Sequence, residues 1–308
     1  MTDDDRSRWV DLDGPVRYLD FGGPADAPVI VCVHGLGGSA VNWLALAPLL
    51  TDRYRVLAPD LAGHGLTRSL GRGTGVPANR ALLDRFVAAV AGGPVILMGN
   101  SMGGMISLLQ AATAPATVSR VVLVNPALPV APARPDPVVT AMFALYATPV
   151  LNRAFMAARR RQSPEAVVAR TLALCCVDPG RVAADVVAEH VAVARERAAF
   201  TDIERDFLIA ARSVLATVGH LGGLPYRREI RSVTAPVLLV HGERDRLMPV
   251  AIARAAARAN PAWSLSVLPD AGHVPHLEAP GPTATVVADW LAGADQSATS
   301  KRSGSGNA

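Results

Sequence analysis

The chain is built from short, wholly apolar runs separated by longer stretches in which apolar and polar residues mix. Residues Val29–Val33, 95–98, 121–124 and 237–240 are continuously apolar, without the alternation of a strand that faces water on one side. Runs of that kind predict parallel strands covered on both faces. Residues 54–58 and 263–268 read as two further strands, and 9–12 with 16–20 as a hairpin turned at Asp13, Gly14 and Pro15. Helical spacing is read over 41–50, 80–91 and 105–112, with Gly92, Gly93 and Pro94 closing the second of these.

After the sixth strand, 121–124, the pattern changes. Pro126, Pro129, Pro132, Pro135 and Pro137 punctuate a linker, and about ninety residues then read as helical until Pro225. This block interrupts the alternation of strand and helix, as an inserted unit would. The expected organisation is a core from 1–126 and 230–292, a helical cap from 127–229, and a disordered tail from 293–308 rich in Ser, Gly, Ala, Thr and Asn. Met142, Phe143 and Tyr146 stand in the first cap helices; most apolar residues there pack the cap itself, and some roof a cleft.

A length of 308 residues suits one large domain with an insertion. Half of the residues are hydrophobic, yet no stretch reaches the ~18 uninterrupted apolar residues of a membrane span. The start is acidic and polar where a secretory signal would be basic and then apolar. Cys32 lies inside a core strand, and the adjacent Cys175 and Cys176 are poor disulfide partners, so reduced thiols and a cytoplasmic location are expected. A net charge of +4 is too modest to point to nucleic acid. The cluster Arg159, Arg160 and Arg161 reads as a solvated helix end, with peripheral contact to an anionic membrane as the other reading.

The chemistry sits at strand ends. Directly after the run 95–98, residues 99–103 read G-N-S-M-G and lead into a helix, so Ser101 occupies the tip of a strand-turn-helix elbow. The strand Val29–Val33 runs into H-G-L-G-G at 34–38, a glycine-rich loop whose backbone N–H groups can face a tetrahedral oxyanion; Leu36 and Met102 are the candidate donors. Past strand 237–240 comes Asp245, a carboxylate placed to orient a histidine, with Glu243 and Asp270 as alternative acids. Past strand 263–268 comes His273. Ser101 as nucleophile, His273 as base and Asp245 as its orienting acid would act as a unit. His34, His64 and His276 are expected to hold loops by hydrogen bonds. No spacing of His and Cys suggests a metal, and no phosphate-binding loop follows the first strand, so no cofactor is implied.

The order Ser, Asp, His resembles that of the α/β-hydrolase family, and five motifs agree in sequence: H-G-x-G-G at His34, D-L-A-G-H-G at Asp60, G-N-S-M-G-G at Gly99, G-E-R-D-x-x-x-P at Gly242 and G-H-V-P-H-x-E at Gly272. The resemblance implies an eight-stranded, mostly parallel sheet with helices on both faces, a triad at the carboxyl ends of the strands, and a helical cap after the sixth strand. It implies serine chemistry on a small to medium, lipophilic carboxylic ester under an apolar cap, with Met142, Phe143, Tyr146 and Val274 as candidate substrate contacts. The elbow also resembles that of the meta-cleavage-product hydrolases, which split carbon-carbon bonds. Those enzymes typically carry Trp after the catalytic histidine and a longer, proline-containing oxyanion loop; here Val274 follows His273. A ligand-binding homologue without turnover is the third reading.

Overall fold

The computed structural model describes residues 5–129, 161–219 and 223–304, with isolated positions between 137 and 152. Met142 and Phe143 lie outside the described residues, as do Arg159 and Arg160.

Strands β1 (Ser7–Asp11), β2 (Pro15–Asp20), β3 (Val29–Val33), β4 (Arg55–Pro59), β5 (Val95–Asn100), β6 (Val118–Val124), β7 (Val237–Gly242) and β8 (Ser264–Leu268) form one eight-stranded sheet in the order β1-β2-β4-β3-β5-β6-β7-β8. The β1–β2 hairpin is antiparallel and joins β4 antiparallel; every pairing from β4 to β8 is parallel. Successive side chains on the central strands enter opposite apolar clusters. Val31, Leu97, Leu123 and Leu239 belong to one, and Cys32, Met98, Val122 and Leu238 to the other. Coverage of both faces explains why these segments are continuously apolar.

The longer described helices are α1 (Val76–Phe86), α2 (Met102–Thr113), α3 (Pro164–Cys175), α4 (Ala184–Arg197), α5 (Ile203–Val218), α6 (Gly223–Ser232), α7 (Val250–Ala259) and α8 (Pro280–Gly304). Residues of α1, α2, α6 and α7 fill the first cluster. Trp43, Leu46 and Leu50 join α8 in the second, together with Val168, Leu172, Val186 and Val193 from α3 and α4. Among the described residues no single helix is long and apolar enough to cross a membrane.

Two expectations shift. Residues 41–50 are two short 3-10 turns, Ala40–Trp43 and Ala47–Leu50, rather than one helix; Ser39 and Asn42 cap the first, and Pro48 lacks the N–H that a continuous helix would use. The next helix starts at Val76, where Pro77 presets the first turn, and ends through a wider turn at Gly92 with φ +69°. Helix α6 straddles position 229, the expected cap end, and packs on α2, with Tyr226 and Ile230 in the core. Its Pro225 falls in the first turn, where a missing N–H costs nothing. Helix α8 runs as far as Gly304, and beyond Pro282 no proline interrupts it.

Candidate active site

Ser101 stands between β5 and α2 with φ +54° and ψ −117°, a conformation that few side-chain-bearing residues adopt. Such a residue costs about 1–3 kcal/mol and persists only where its surroundings over-determine it. Here they do. The Ser101 N–H donates to Val124 O (3.2 Å), and its carbonyl accepts from Met105 N–H (3.1 Å) and Ala127 N–H (2.9 Å). The turn is also too tight for larger neighbours, since a Cβ on Gly99 would lie 2.4 Å from Gly103 O, and one on Gly103 would lie 2.1 Å from Val33 O.

The glycine loop lies against this elbow. A Cβ on Gly35 would sit 3.2 Å from Ser101 Cβ and 3.1 Å from Asn100 Oδ1. His34 fixes the loop from within, its Nδ1–H donating to Gly35 O (2.8 Å) while Nε2 accepts from Leu61 N–H (3.0 Å). Asp60 braces the other side by accepting from Ala40 N–H (2.6 Å) and Leu66 N–H (2.8 Å). Met102 is the first residue of α2, so its N–H stands at the positive end of a helix dipole, as an oxyanion donor should. Leu36 packs beneath Tyr146, Phe207 and Leu208.

Histidine and acid meet directly. His273 Nδ1 and Asp245 Oδ2 are 2.8 Å apart, with the carboxylate buried. All of the acceptor capacity of Asp245 is engaged, because Oδ2 also accepts from Asn125 Nδ2 (2.6 Å), and Oδ1 accepts from Leu247 N–H (2.8 Å) and Met248 N–H (3.0 Å). Burial alone would raise its pKa, but attraction to His273 and His241 and the hydrogen bonds from His273 and Met248 outweigh it and hold the carboxyl below its usual range. The alternative acids are engaged elsewhere. Glu243 pairs with Arg254, and Asp270 with Arg181 and Arg244, all on exposed surface. Asn100 ties the histidine loop to the elbow, since its Nδ2 donates to Val124 O (3.0 Å) and to His273 O (3.1 Å).

Asn125 is the residue that sequence reasoning missed. At the end of β6, with φ +46°, it donates to Asp245 and to Gly272 O (3.1 Å) and accepts from Gly242 N–H (3.2 Å), thereby joining the acid and histidine loops. An Asn at a strand end, where left-handed backbone is tolerated, was the available signal. Of the expected substrate contacts, Tyr146 packs edge-on to Phe207 at 5.2 Å near Leu36. Val274 is 5% exposed, as is His273 beside it, and belongs to the apolar cluster shared with α3, α4 and α8.

His276 also differs from expectation. It does not hold its loop by hydrogen bonds; it stacks on Trp43 (4.5 Å between centroids) with neither ring nitrogen partnered among the described residues. Burial lowers its pKa to about 3, and burial likewise lowers those of His34, His64, His190 and His241. His276 is neutral when folded and gains a proton once unfolded, so its contribution is complete above about pH 6.5 and is lost as pH falls toward 3, and the other four act in the same direction. The unfolding midpoint, followed by circular dichroism, should therefore fall steeply between pH 7 and pH 4. His276→Phe, which keeps the stack on Trp43, should lose less over that interval; an equal loss would show that His276 carries none of the effect.

A sequence model described as the alpha/beta hydrolase family matches residues 30–286. The chain is 30% identical over 287 residues to the magnesium-chelatase 30 kDa subunit of Rhodobacter capsulatus, covering 91% of this chain and 93% of that one. It is 30% identical over 267 residues to a pimeloyl-[acyl-carrier protein] methyl ester esterase of Aromatoleum aromaticum, covering 86% and 99%. It is 29% identical over 291 residues to a 2-hydroxy-6-oxo-6-(2'-aminophenyl)hexa-2,4-dienoic acid hydrolase of Metapseudomonas resinovorans, covering 92% and 90%. With an eight-stranded sheet, a serine elbow and an acid-paired histidine in the family's order, the chain belongs to the alpha/beta hydrolase family.

Proposed function

We propose that this hydrolase cleaves a carboxylic ester with a lipophilic portion through an acyl-enzyme intermediate. The observation that carries the reading is the hydrogen bond from His273 Nδ1–H to a buried Asp245, on a loop that Asn100 fastens to the serine elbow. In this mechanism Ser101 Oγ attacks the carbonyl carbon while His273 Nε2 takes the hydroxyl proton. The N–H groups of Leu36 and Met102 hold the resulting oxyanion. As the intermediate collapses, the imidazolium gives its proton to the departing alcohol. Water, deprotonated by the same nitrogen, then attacks the acyl-enzyme and releases the acid.

The lipophilic preference rests on the aromatic pair above the oxyanion loop. A Cβ on Gly37 would lie 3.1 Å from the Phe207 ring, so the α5 side chain reaches the loop itself. Phe207→Ala should shift the preferred acyl chain by two or more carbons and change the ratio of kcat/KM between short and long esters about tenfold, because each buried methylene is worth about 0.8 kcal/mol. An unaltered chain-length profile would place the acyl pocket elsewhere.

The deciding experiment is hydrolysis of p-nitrophenyl esters from C2 to C12 by the wild type, beside a meta-cleavage dienoate. Chain-dependent ester cleavage with the dienoate untouched supports the reading. Fast dienoate turnover with trace ester cleavage would favour carbon-carbon hydrolysis, the activity named for the Metapseudomonas relative. The Rhodobacter relative is named for a chelatase subunit, and absence of both activities, with no labelling of Ser101 by a fluorophosphonate, would favour a binding role.

A further inference from the structure

We propose that Glu278 is a positioning residue for the reaction, acting through the backbone of the catalytic histidine loop, and that cap segment 175–177 is part of the same device. The proposal rests on the triad reading above. Glu278 is 4% exposed and closes the one-turn helix Pro275–Glu278 that follows His273. Its carboxylate spans two parts of the molecule: Oε1 accepts from Gly272 N–H, and Oε2 accepts from Val177 N–H (2.8 Å), just beyond the end of cap helix α3. One residue on, His273 N–H donates to Cys175 O (2.7 Å), the last carbonyl of α3.

The histidine is therefore gripped at both ends. Asp245 fixes the ring through Nδ1, while Glu278 and Cys175 fix the two consecutive backbone N–H groups that set where the ring begins. The fit leaves no slack, since a Cβ on Gly272 would lie 2.4 Å from Cys175 O and 3.0 Å from Glu278 Oε1. A carboxylate accepting two backbone N–H bonds out of water is a strong and directional bracket. Arg181, just beyond α3, adds an outer tie by donating to Asp270 O (2.9 Å), but it lies on exposed surface and contributes little. A displacement of about 1 Å at a catalytic group can cost a hundredfold in rate, so the bracket bears on turnover as well as on folding. On this side the cap is then a fixed wall that carries the base.

Three variants of the full chain test this. Glu278→Gln replaces one acceptor by an amide that confronts a backbone N–H, Glu278→Asp keeps both acceptors on a shorter arm, and Val177→Pro removes only the cap's N–H. We expect kcat for p-nitrophenyl butyrate to fall about 10–100-fold in Glu278→Gln with KM within twofold of wild type. Glu278→Asp should recover part of the loss, and Val177→Pro should lose kcat in the same direction. The low-field proton resonance of His273 Nδ1–H should shift or broaden in Glu278→Gln. Unchanged kcat and an unchanged resonance, or a lower unfolding midpoint without loss of kcat, would overturn the proposal and leave Glu278 a purely structural bracket. Should the wild type cleave neither ester nor dienoate and Ser101 resist a fluorophosphonate, the triad reading fails by itself, and the resonance still decides whether Glu278 positions the ring.

Discussion

Ser101→Ala should abolish cleavage of p-nitrophenyl esters, lowering kcat by about 10⁴–10⁶, while the circular dichroism spectrum stays that of the wild type. The size of the loss follows from the unit the residues form, because a base without a nucleophile leaves only the oxyanion donors and the cleft. The unaltered fold follows from the elbow's construction. Its clamps run through the N–H and carbonyl of residue 101 to Val124, Met105 and Ala127, and none of them uses the hydroxyl. Ser101→Gly extends the argument. It removes the same nucleophile, but glycine accepts φ +54° without strain, so its unfolding midpoint should exceed that of Ser101→Ala. Near-normal turnover in either variant would overturn the nucleophile assignment.

Asp245→Asn should cost about 10³–10⁴ in kcat although it leaves the number of non-hydrogen atoms in the core unchanged. Each of the four partners of Asp245 is a donor: His273, Asn125, Leu247 N–H and Met248 N–H. An asparagine offers one oxygen and one NH₂, so some donor must face an NH₂. The two backbone N–H groups cannot become acceptors, and Asn125 is held in its orientation because its oxygen receives Gly242 N–H. His273 alone can adapt, by moving its proton from Nδ1 to Nε2. In that tautomer Nε2 cannot accept the serine proton. With Glu243 and Asp270 bound to surface arginines, no nearby carboxylate takes over. His273→Ala should therefore lose a similar amount, and a markedly milder Asp245→Asn would show that a second acid orients the ring.

The serine elbow and the pairing of His273 with Asp245 were legible because each residue follows an apolar strand in a fixed order, a pattern that needs no knowledge of how the loops meet. The same logic recovered the sheet, since runs covered on both faces announce parallel strands. What escaped were residues whose meaning lies in a distant partner. Asn125 looks like an ordinary strand terminus until β7 and the histidine loop arrive beside it. Phe207 is one of many apolar cap residues until its ring is seen against Gly37. Glu278 was visible as a motif letter, but its bridge to Val177 crosses from the end of the core to the middle of the cap. Local errors had local causes. Apolar spacing over 41–50 suits a helix as well as two tight turns, and α6 carries a cap-like composition while packing on α2.

The order of the strands also has a consequence for the birth of the molecule. The elbow is complete once β6 and Ala127 have been made, because its backbone clamps draw on nothing later in the chain. The proposed base and acid wait for the last two strands, β7 and β8, which join the sheet beyond β6. A ribosome adds about 5–20 residues per second, so the nascent polypeptide spends several seconds with its serine mounted and unarmed. On the proposed triad, hydrolytic competence arrives only when the carboxyl-terminal quarter docks.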